Sequence, residues 1–543
     1  MRFIQHEDRE TILLQLSEQI AGDNETRLVD AFVDKVDLAS HGFTFKTDKG
    51  DKADLGGRRE YHPADLLKLY VYGYINQVRS SRQLSKHCRI NLEVKWLVSN
   101  LQPSHNTVNK FRKNNPDALN ELFRTFNRFW KQIGLYGNED IAIDGSFFAA
   151  QNGKQHNFSS DKIKKRLAHI DKKTEDYLAL LDQIDKEEDK ALKLSEEEVA
   201  AKLAVLSKRK EKYQVLSNIL KESGDSQVST TDSDARLLSK GKGAQMAYNV
   251  QIATEEENKM IAYYEVTNQG DTKAFHRVAK ATKDFLQDGD ETQSINALGD
   301  KGFNDAEQLH LCQQDNITTY VAHKDEKEPK KEGLFTKSKF VYNRAEDTYQ
   351  CPNDETLKTT GNFFKNRNRK VKSYQVSFKI CEGCPLKESC LSPKSIEKRK
   401  GRSITRSPYE NAKDDNKKRV SENKEIYHLR KAMVEHPFGT IKRQWGYSYT
   451  LLKGFKKVSG EFALIFSAYN LRRATSILGV NELLNRINQA EMLVFSLFLK
   501  KLVVTSPTSH HRRKKSPQYD LFQSVCKRIF APFLTLKVGC VTD

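Results

Sequence analysis

The stretch DIAIDGSFF, residues 140–148, sets three apolar residues, Ile141, Ala142 and Ile143, directly before an Asp144-Gly145 pair. A short apolar run bounded by a turn signal reads as a buried strand. A carboxylate at the end of such a strand emerges at the edge of a sheet, where ligands and catalytic groups collect. The same pattern returns in SINALGDKGF (294–303), where Ile295, Ala297 and Gly299 lead into Asp300-Lys301-Gly302. Between the two lie MAYNVQIAT (246–254) and KMIAYYEVT (259–267), which read as strands, and TKAFHRVAKATKDFLQ (272–287), which reads as a helix. Three strands, a helix and a strand describe an α/β unit, a mixed sheet with helical cover. An Asp before Gly is often only a turn residue. Two of them ending two strands of one sheet are a candidate pair.

A third carboxylate stands in KAMVEHPFGTIKRQWG (431–446). Here Ile426, Leu429, Met433, Phe438, Ile441 and Trp445 recur at three-to-four spacing, the apolar stripe of a helix. Glu435 follows Lys431 by four residues and precedes Lys442 by seven, so the three share one helix face, an arrangement that an ordinary surface ion pair also explains. Pro437 removes a helix hydrogen bond and clashes with the carbonyl of Met433, which predicts a kink or break beside Glu435. Three carboxylates on a sheet and its covering helix suit two Mg²⁺ ions, which take oxygen ligands and leave positions open for phosphate and water. Such a pair serves phosphodiester chemistry.

The rest of the chain fits a nucleic-acid partner. It has 543 residues, enough for three or four domains, and 91 Lys+Arg against 72 Asp+Glu give a formal charge of +19. A pI near 9.3 points to a polyanion. The opening MRFIQHEDRETILLQL carries charges where a signal peptide needs an apolar core, so a cytoplasmic protein is expected. MLVFSLFLKKLVV (492–504) is interrupted by Lys500 and Lys501 and is too short for a membrane span. No phosphate-binding glycine loop of the Walker type is present, so no ATP site is expected.

Residues 1–135 read as a helical domain, with apolar periodicity in PADLLKLYVYGYINQ (63–77) and ALNELFRTFNRFWKQIGL (118–135). Between these, SSRQLSKHCRINLEVKWLVSNLQPSHNTVNKFRK (80–113) breaks into short helices, the last starting at Ser104 after Pro103. As a helix-turn-helix it would offer His105, Asn106, Thr107 and Asn109 to base edges and Lys110, Arg112 and Lys113 to phosphates; a plain helical bundle with a basic face reads equally well. Residues 161–224 carry a coiled-coil seam (Ile163, Leu167, Ile170, Thr174, Tyr177, Leu181, Ile184) and a second helical run, together a hairpin. It serves as a dimerisation arm, a DNA-facing arm or a plain insertion.

Four cysteines, Cys351, Cys381, Cys384 and Cys390, cluster in 326–415. One CxxC with two further thiols fits a structural Zn²⁺ site; an iron–sulfur cluster and metal-free buried cysteines fit the spacing too.

These stretches together resemble the DDE transposases of bacterial insertion sequences, in the branch with a helical N-terminal domain and a cysteine-bearing insert before the final glutamate. The motifs that carry the resemblance are AIDGSFFAA (142–150), DSDARLLSKGKGAQMAYNVQIAT (232–254), EVTNQGDTKAF (265–275), ALGDKGF (297–303), CEGCPLKESC (381–390) and RKAMVEHPFGTIKRQWGY (430–447). It spans about residues 1–487. It implies an RNase H-like catalytic core made of 136–160, 225–325 and 416–487, with the N-terminal domain at 1–135, the hairpin insertion at 161–224, the cysteine-bearing insertion at 326–415 and a tail at 488–543. Asp144, Asp300 and Glu435 carry over as ligands of two Mg²⁺ ions, for which Mn²⁺ substitutes. Tyr427, Arg430 and Lys442 match the family's DNA-contacting residues in kind, with Lys431 placed to serve for Arg430. The implied activity is cleavage at the inverted terminal repeats of the protein's own element and joining of the freed 3′ hydroxyls to target DNA. The implied setting is a homodimer or larger assembly on double-stranded DNA, at the bacterial nucleoid. A domesticated DNA-binding protein and a structure-specific nuclease are the other readings of the same residues.

Overall fold

Pro116 opens the longest N-terminal helix because its fixed φ suits a first helical turn. That helix, α6 (Pro116–Gln132), follows α1 (Glu25–Asp34), α2 (Pro63–Ile75), α3 (Ser81–Ile90), α4 (Leu92–Leu97) and α5 (His105–Asn114). Leu119, Leu122, Phe123, Phe126 and Trp130 line its buried side, and Phe32 of α1 stacks on Trp130 with ring centroids 4.9 Å apart. The computed structural model describes residues 16–43, 60–137, 139–184, 196–240, 243–323, 333–366 and 369–489. The described residues up to Asn485 make one compact unit. The apolar run at 492–504 lies outside the described residues. Among the described residues no helix is long and apolar enough to cross a membrane.

The chain is a mixed α/β protein. β1 (Asp140–Ala149) is followed by β2 (Asn157–Ser159), two long helices α7 (Ser160–Ile184) and α8 (Glu196–Ser223), and β3 (Gln227–Ser229). The two helices pack on one another, with Phe158, Ile163, Leu216 and Leu220 buried beside the β2–β3 pair and Lys210 bound to Asp171 at 2.8 Å. Then come β4 (Arg236–Lys240), β5 (Gly243–Glu255), β6 (Ile261–Thr267), α9 (Phe275–Leu286), β7 (Ile295–Gly299), α10 (Ala306–Gln314) and β8 (Ile317–Val321).

Strands β4, β5, β1, β7 and β8 lie side by side in that order, and β6 also pairs with β5. β5 is antiparallel to β1, β4 and β6, whereas β1, β7 and β8 run parallel. β4, β5 and β6 follow one another through short connections, while the parallel step from β7 to β8 crosses over through α10.

After β8 the chain builds a separate antiparallel sheet from β9 (Val341–Asn343), β10 (Thr348–Gln350), β11 (Thr356–Asn366), β12 (Arg369–Gln375) and β13 (Ser403–Arg406). Three short helices, α11 (Phe378–Glu382), α12 (Lys387–Cys390) and α13 (Pro393–Glu397), lie between its last two strands. Tyr349, Leu357, Tyr374, Cys381 and Ile404 share its core. The chain returns in α14 (Glu410–Glu422), where the buried Asn416 exchanges hydrogen bonds with both backbone groups of Val321 at 3.0 and 2.7 Å. α15 (Lys424–Phe438) and α16 (Phe455–Leu478) complete the fold.

A buried amide chain joins the N-terminal helices to the sheet. Asn127 of α6 donates to the carbonyls of Ile261 and Ala262, and Asn470 of α16 donates to Asn127 Oδ1 and accepts from Ile261 N. Buried amides are stable only when paired in this way, so α6, β6 and α16 are held in one register.

Two expectations about local structure are corrected here. Pro437 does not break α15 beside Glu435: the helix runs on to Phe438, and the distortion follows as a π-helical turn over Gly439–Gln444. β1 does not end at Asp144 but continues to Ala149, because β5 pairs with it along its whole length.

Candidate active site

What ends at Asp144 is the pairing with β7. The parallel register matches Asp140 with Asn296 and Ile143 with Gly299, and stops there. One residue further, the same register sets Asp144 of β1 beside Asp300, the first residue past β7. Each acid is held by its own backbone: Asp144 Oδ1 accepts from Gly145 N at 2.9 Å, and Asp300 Oδ1 accepts from Gly302 N at 2.6 Å.

Burial pushes the Asp144 carboxyl up to about 6; the Arg430 guanidinium opposes the rise, and the Asp300 and Asp271 carboxylates add to it. Arg430 reaches this site because of how α15 packs. Met433 and Val434 are buried against Ala142, Leu298 and Tyr320, and Arg430, one turn earlier, shares their face. Glu435 falls to the side of that face. Its side chain is 66% exposed, with Oε1 4.0 Å from Lys431 Nζ. The three acids expected together are therefore not gathered here: Asp144, Asp300 and Asp271 approach one another, and Glu435 stands off.

Lys442 does not share the Glu435–Lys431 face either. The π-helical turn adds a residue to the helical cycle, and Lys442 swings onto β1, where Nζ donates to Ser146 Oγ at 2.7 Å and to the Phe147 carbonyl at 2.8 Å. Tyr427 is half-buried beside Arg430, whose guanidinium lies 5.9 Å from its ring centroid.

Among the described residues no group of three or more His, Cys, Asp or Glu side chains is already set to hold a metal ion. The donors at the β1–β7 edge are nonetheless those of a hard cation. They are carboxylates, of which Asp300 and Asp271 add to the proton affinity of Asp144, beside Gln251, a fully buried residue whose amide Oε1 has no hydrogen-bond partner.

Residues 350–475, which include Glu435 and all four clustered cysteines, match a family model described as a transposase DDE domain, and residues 14–114 match a transposase domain (DUF772). Both matched families indicate a DDE-type insertion-sequence transposase. Asp144 and Asp300 lie between the two matched stretches. No curated protein matches. A cryo-EM structure of a piggyBac transposase synaptic complex with hairpin DNA aligns over 95% of this chain and 87% of that one, at 9% identity and a TM-score of 0.28. A superposition that loose carries no argument.

In this transposase, the helix proposed to read DNA is α5, capped by Ser104, whose Oγ accepts from Thr107 N at 3.2 Å. His105, Asn106, Lys110 and Lys113 are exposed, and Thr107 and Asn109 are half-buried. Arg112 is a correction. It is 3% exposed, Nη1 donates to Tyr74 Oη at 2.8 Å, and its guanidinium packs over the Tyr70 ring, so it braces the helical domain and cannot reach a phosphate. Thr107, Lys110 and Lys113 line an open groove of about 670 Å³ together with Lys456 and Lys457 at the start of α16, two lysines that sequence reasoning missed.

Cys351, Cys381, Cys384 and Cys390 are free thiols around one cavity of about 30 Å³. Cys351 Sγ accepts two backbone N–H groups, from Asn353 and Glu355, each at 3.4 Å. Burial pushes the Cys390 thiol up to about 11, Arg402 opposes this, and the other three thiols add to it.

Proposed function

We propose that this transposase binds the terminal inverted repeats of its own insertion sequence and carries out Mg²⁺-dependent cleavage and strand transfer on an RNase H-like core. One observation carries the reading: the parallel β1–β7 register that brings Asp144 and Asp300 side by side at a sheet edge. The order β6–β5–β1–β7–β8, antiparallel through β1 and parallel beyond it, supports the RNase H-like core.

Asp144 and Asp300 are the proposed cation ligands, and Glu435, which stands off them in the free chain, is the proposed third, carried by the helix that packs over both strands. Bound there, two Mg²⁺ ions, or Mn²⁺ in their place, supply Lewis-acid stabilisation to the attacking and leaving oxygens of the phosphodiester. Arg430 sits at the same edge with its positive charge toward Asp144 and is placed to meet a scissile phosphate, with Tyr427 packed beside it. Lys431 and Lys442 flank the site as further phosphate contacts. The exposed residues of α5 read the element ends, and at least a homodimer brings two ends together on double-stranded DNA at the nucleoid. The proposed domains keep the boundaries expected from the sequence.

For the cysteine segment the proposal is a structural Zn²⁺ held by Cys351, Cys381, Cys384 and Cys390. Backbone N–H groups aimed at a sulfur stabilise its thiolate, which is the metal-binding form. Metal analysis of the purified chain tests this: about one zinc per chain, lost on replacing Cys381 and Cys384 by Ser, supports it, and a zinc-free, fully folded protein rejects it.

The functional test is mobilisation of a marker flanked by the element's own ends, with the protein supplied in trans as wild type and as Asp144→Asn. Movement with wild type and none with the variant is expected. Equal movement would remove Asp144 from the site. Cleavage without joining would favour the structure-specific nuclease, and end binding with neither step the domesticated DNA-binding protein.

A further inference from the structure

The loop between β6 and α9 carries an acid that no metal-binding motif announced. Asp271 opens a 3₁₀ turn, Asp271–Lys273, whose neighbour in space is the matching turn Lys301–Phe303 after Asp300. Thr272 Oγ1 ties the two by donating to the Gly302 carbonyl at 3.3 Å. Asp271 Oδ1 accepts from Asn249 Nδ2 at 2.8 Å and Gln251 Nε2 at 2.7 Å. Both amides come from β5, where Gln251 pairs across the ladder with Gly145.

Two glycines make the space that this carboxylate occupies. A Cβ on Gly145 would collide with Asp271 Oδ1 and with the Gln251 amide. A Cβ on Gly302 would stand 2.7 Å from Asp300 Oδ1 and 3.5 Å from Asp271 Oδ2. The Asp271 carboxylate therefore spans the gap between the residue after Asp144 and the turn that holds Asp300. Side chains at those two positions would shut it out.

Hydrogen bonds to Asn249 and Gln251 account for Oδ1 but leave Oδ2 directed along the Asp300 turn. The amides are not fully satisfied in return. Asn249 and Gln251 are both 0% exposed, yet Asn249 Oδ1 and Gln251 Oε1 have no hydrogen-bond partner, and Gln251 Oε1 lies 2.8 Å from the Cβ position of Gly145. Orphaned buried acceptors are rare in proteins and call for a partner. Beside three carboxylates, the partner that suits an acceptor oxygen is a cation or the water it carries.

We infer that Asp271 is a further acidic ligand of the divalent-cation site, presenting Oδ2 beside Asp300 while Asn249 and Gln251 hold Oδ1. This rests on the cation-dependent reading of Asp144 and Asp300 given above. It gives the chain a third carboxylate within the sheet edge itself, independent of Glu435 on α15.

The test is Mn²⁺ titration of the full chain by calorimetry, with wild type, Asp144→Asn and Asp271→Asn. Asparagine keeps an oxygen for the two amides and removes only the charge, so a purely structural Asp271 would leave Mn²⁺ binding unmoved. The expected result is a loss of affinity of at least about tenfold in D271N, with unfolding of the metal-free chain unchanged. Wild type and D271N binding Mn²⁺ alike while D144N does not would overturn the inference and leave the cation site standing; no binding by wild type would overturn both. Should D271N fold poorly, Asp271→Cys decides by strand transfer. Activity lost in Mg²⁺ and regained in thiophilic Mn²⁺ supports ligation, and equal loss in both metals rejects it.

Discussion

Asp144 keeps a charge where burial disfavours one, and this has a measurable sign. Its carboxyl is pushed up to about 6 by burial, from an ordinary value near 3.8. The folded chain thus binds that proton more tightly than the unfolded chain, and stability falls as pH rises from about 4 to about 6. Asp144→Asn removes the penalty. In EDTA the variant should be more stable than wild type by about 3 kcal/mol near pH 7.5, with the gap closing near pH 4. Denaturant unfolding at the two pH values checks it; a variant less stable at both would mean that the bond from Gly145 N outweighs the burial. At this scale Asp144 and Asp300 were legible, because an acid after an apolar run is a local pattern. Asp271 was not. Its Gly-Asp-Thr loop looks like any turn, and its place depends on two distant glycines and two buried amides that only the folded sheet brings together. Arg430 lies five residues before Glu435, off the face of that acid. That it points to Asp144 follows from which side of α15 is buried, which single-helix spacing does not fix.

At the scale of the element, α15 was legible from its apolar stripe, but its end was not. Pro437 cannot donate to the Met433 carbonyl, and a kink or break beside Glu435 was the natural expectation. The chain instead absorbs the defect downstream by widening into a π-helical turn over Gly439–Gln444. An inserted residue rotates everything after it by about 100°, so a face read at 3.6 residues per turn is wrong beyond Phe438. Lys442 is the clearest consequence, since it clamps the turn to β1 through Ser146 and Phe147. Replacing it by Ala removes charged hydrogen bonds and should destabilise the fold by about 1.5–3 kcal/mol. Strand transfer should fall with it, because the clamp holds the strand that carries Asp144. Denaturant unfolding of Lys442→Ala checks this: unchanged stability with weakened DNA binding would make Lys442 a phosphate contact alone. Similarly, the heptad seam announced helices around 161–224, and the strand-like run MAYNVQIAT announced β5, whereas the register of β1 against β7 is a long-range fact that no local pattern encodes.

For the whole molecule, the net charge of +19 was plain in the composition, but composition does not say where charge meets DNA. The fold divides the basic residues into those with structural work and those without. Arg112 is spent inside the helical domain on Tyr74, whereas Lys110, Lys113, Lys456 and Lys457 line one groove from two distant parts of the chain. Lys456 is bound to Asp117 at 2.6 Å, although both side chains are largely exposed, so the other three should dominate any phosphate contact. Each lysine that neutralises a phosphate releases a counterion and steepens the fall of log K with log salt by about 0.9. If the groove lies on the DNA path, replacing Lys110, Lys113 and Lys457 together by Ala should flatten that slope by roughly 2–3, with unfolding unchanged. Arg112→Ala should do the reverse, lowering stability while leaving the slope as it was. Anisotropy titrations of an element-end duplex across a salt series give both slopes, and an unaltered slope in the triple variant would take the groove off the DNA path. The contrast between the two variants matters more than either alone, because it separates the charge that composition counts from the charge that a phosphate can reach.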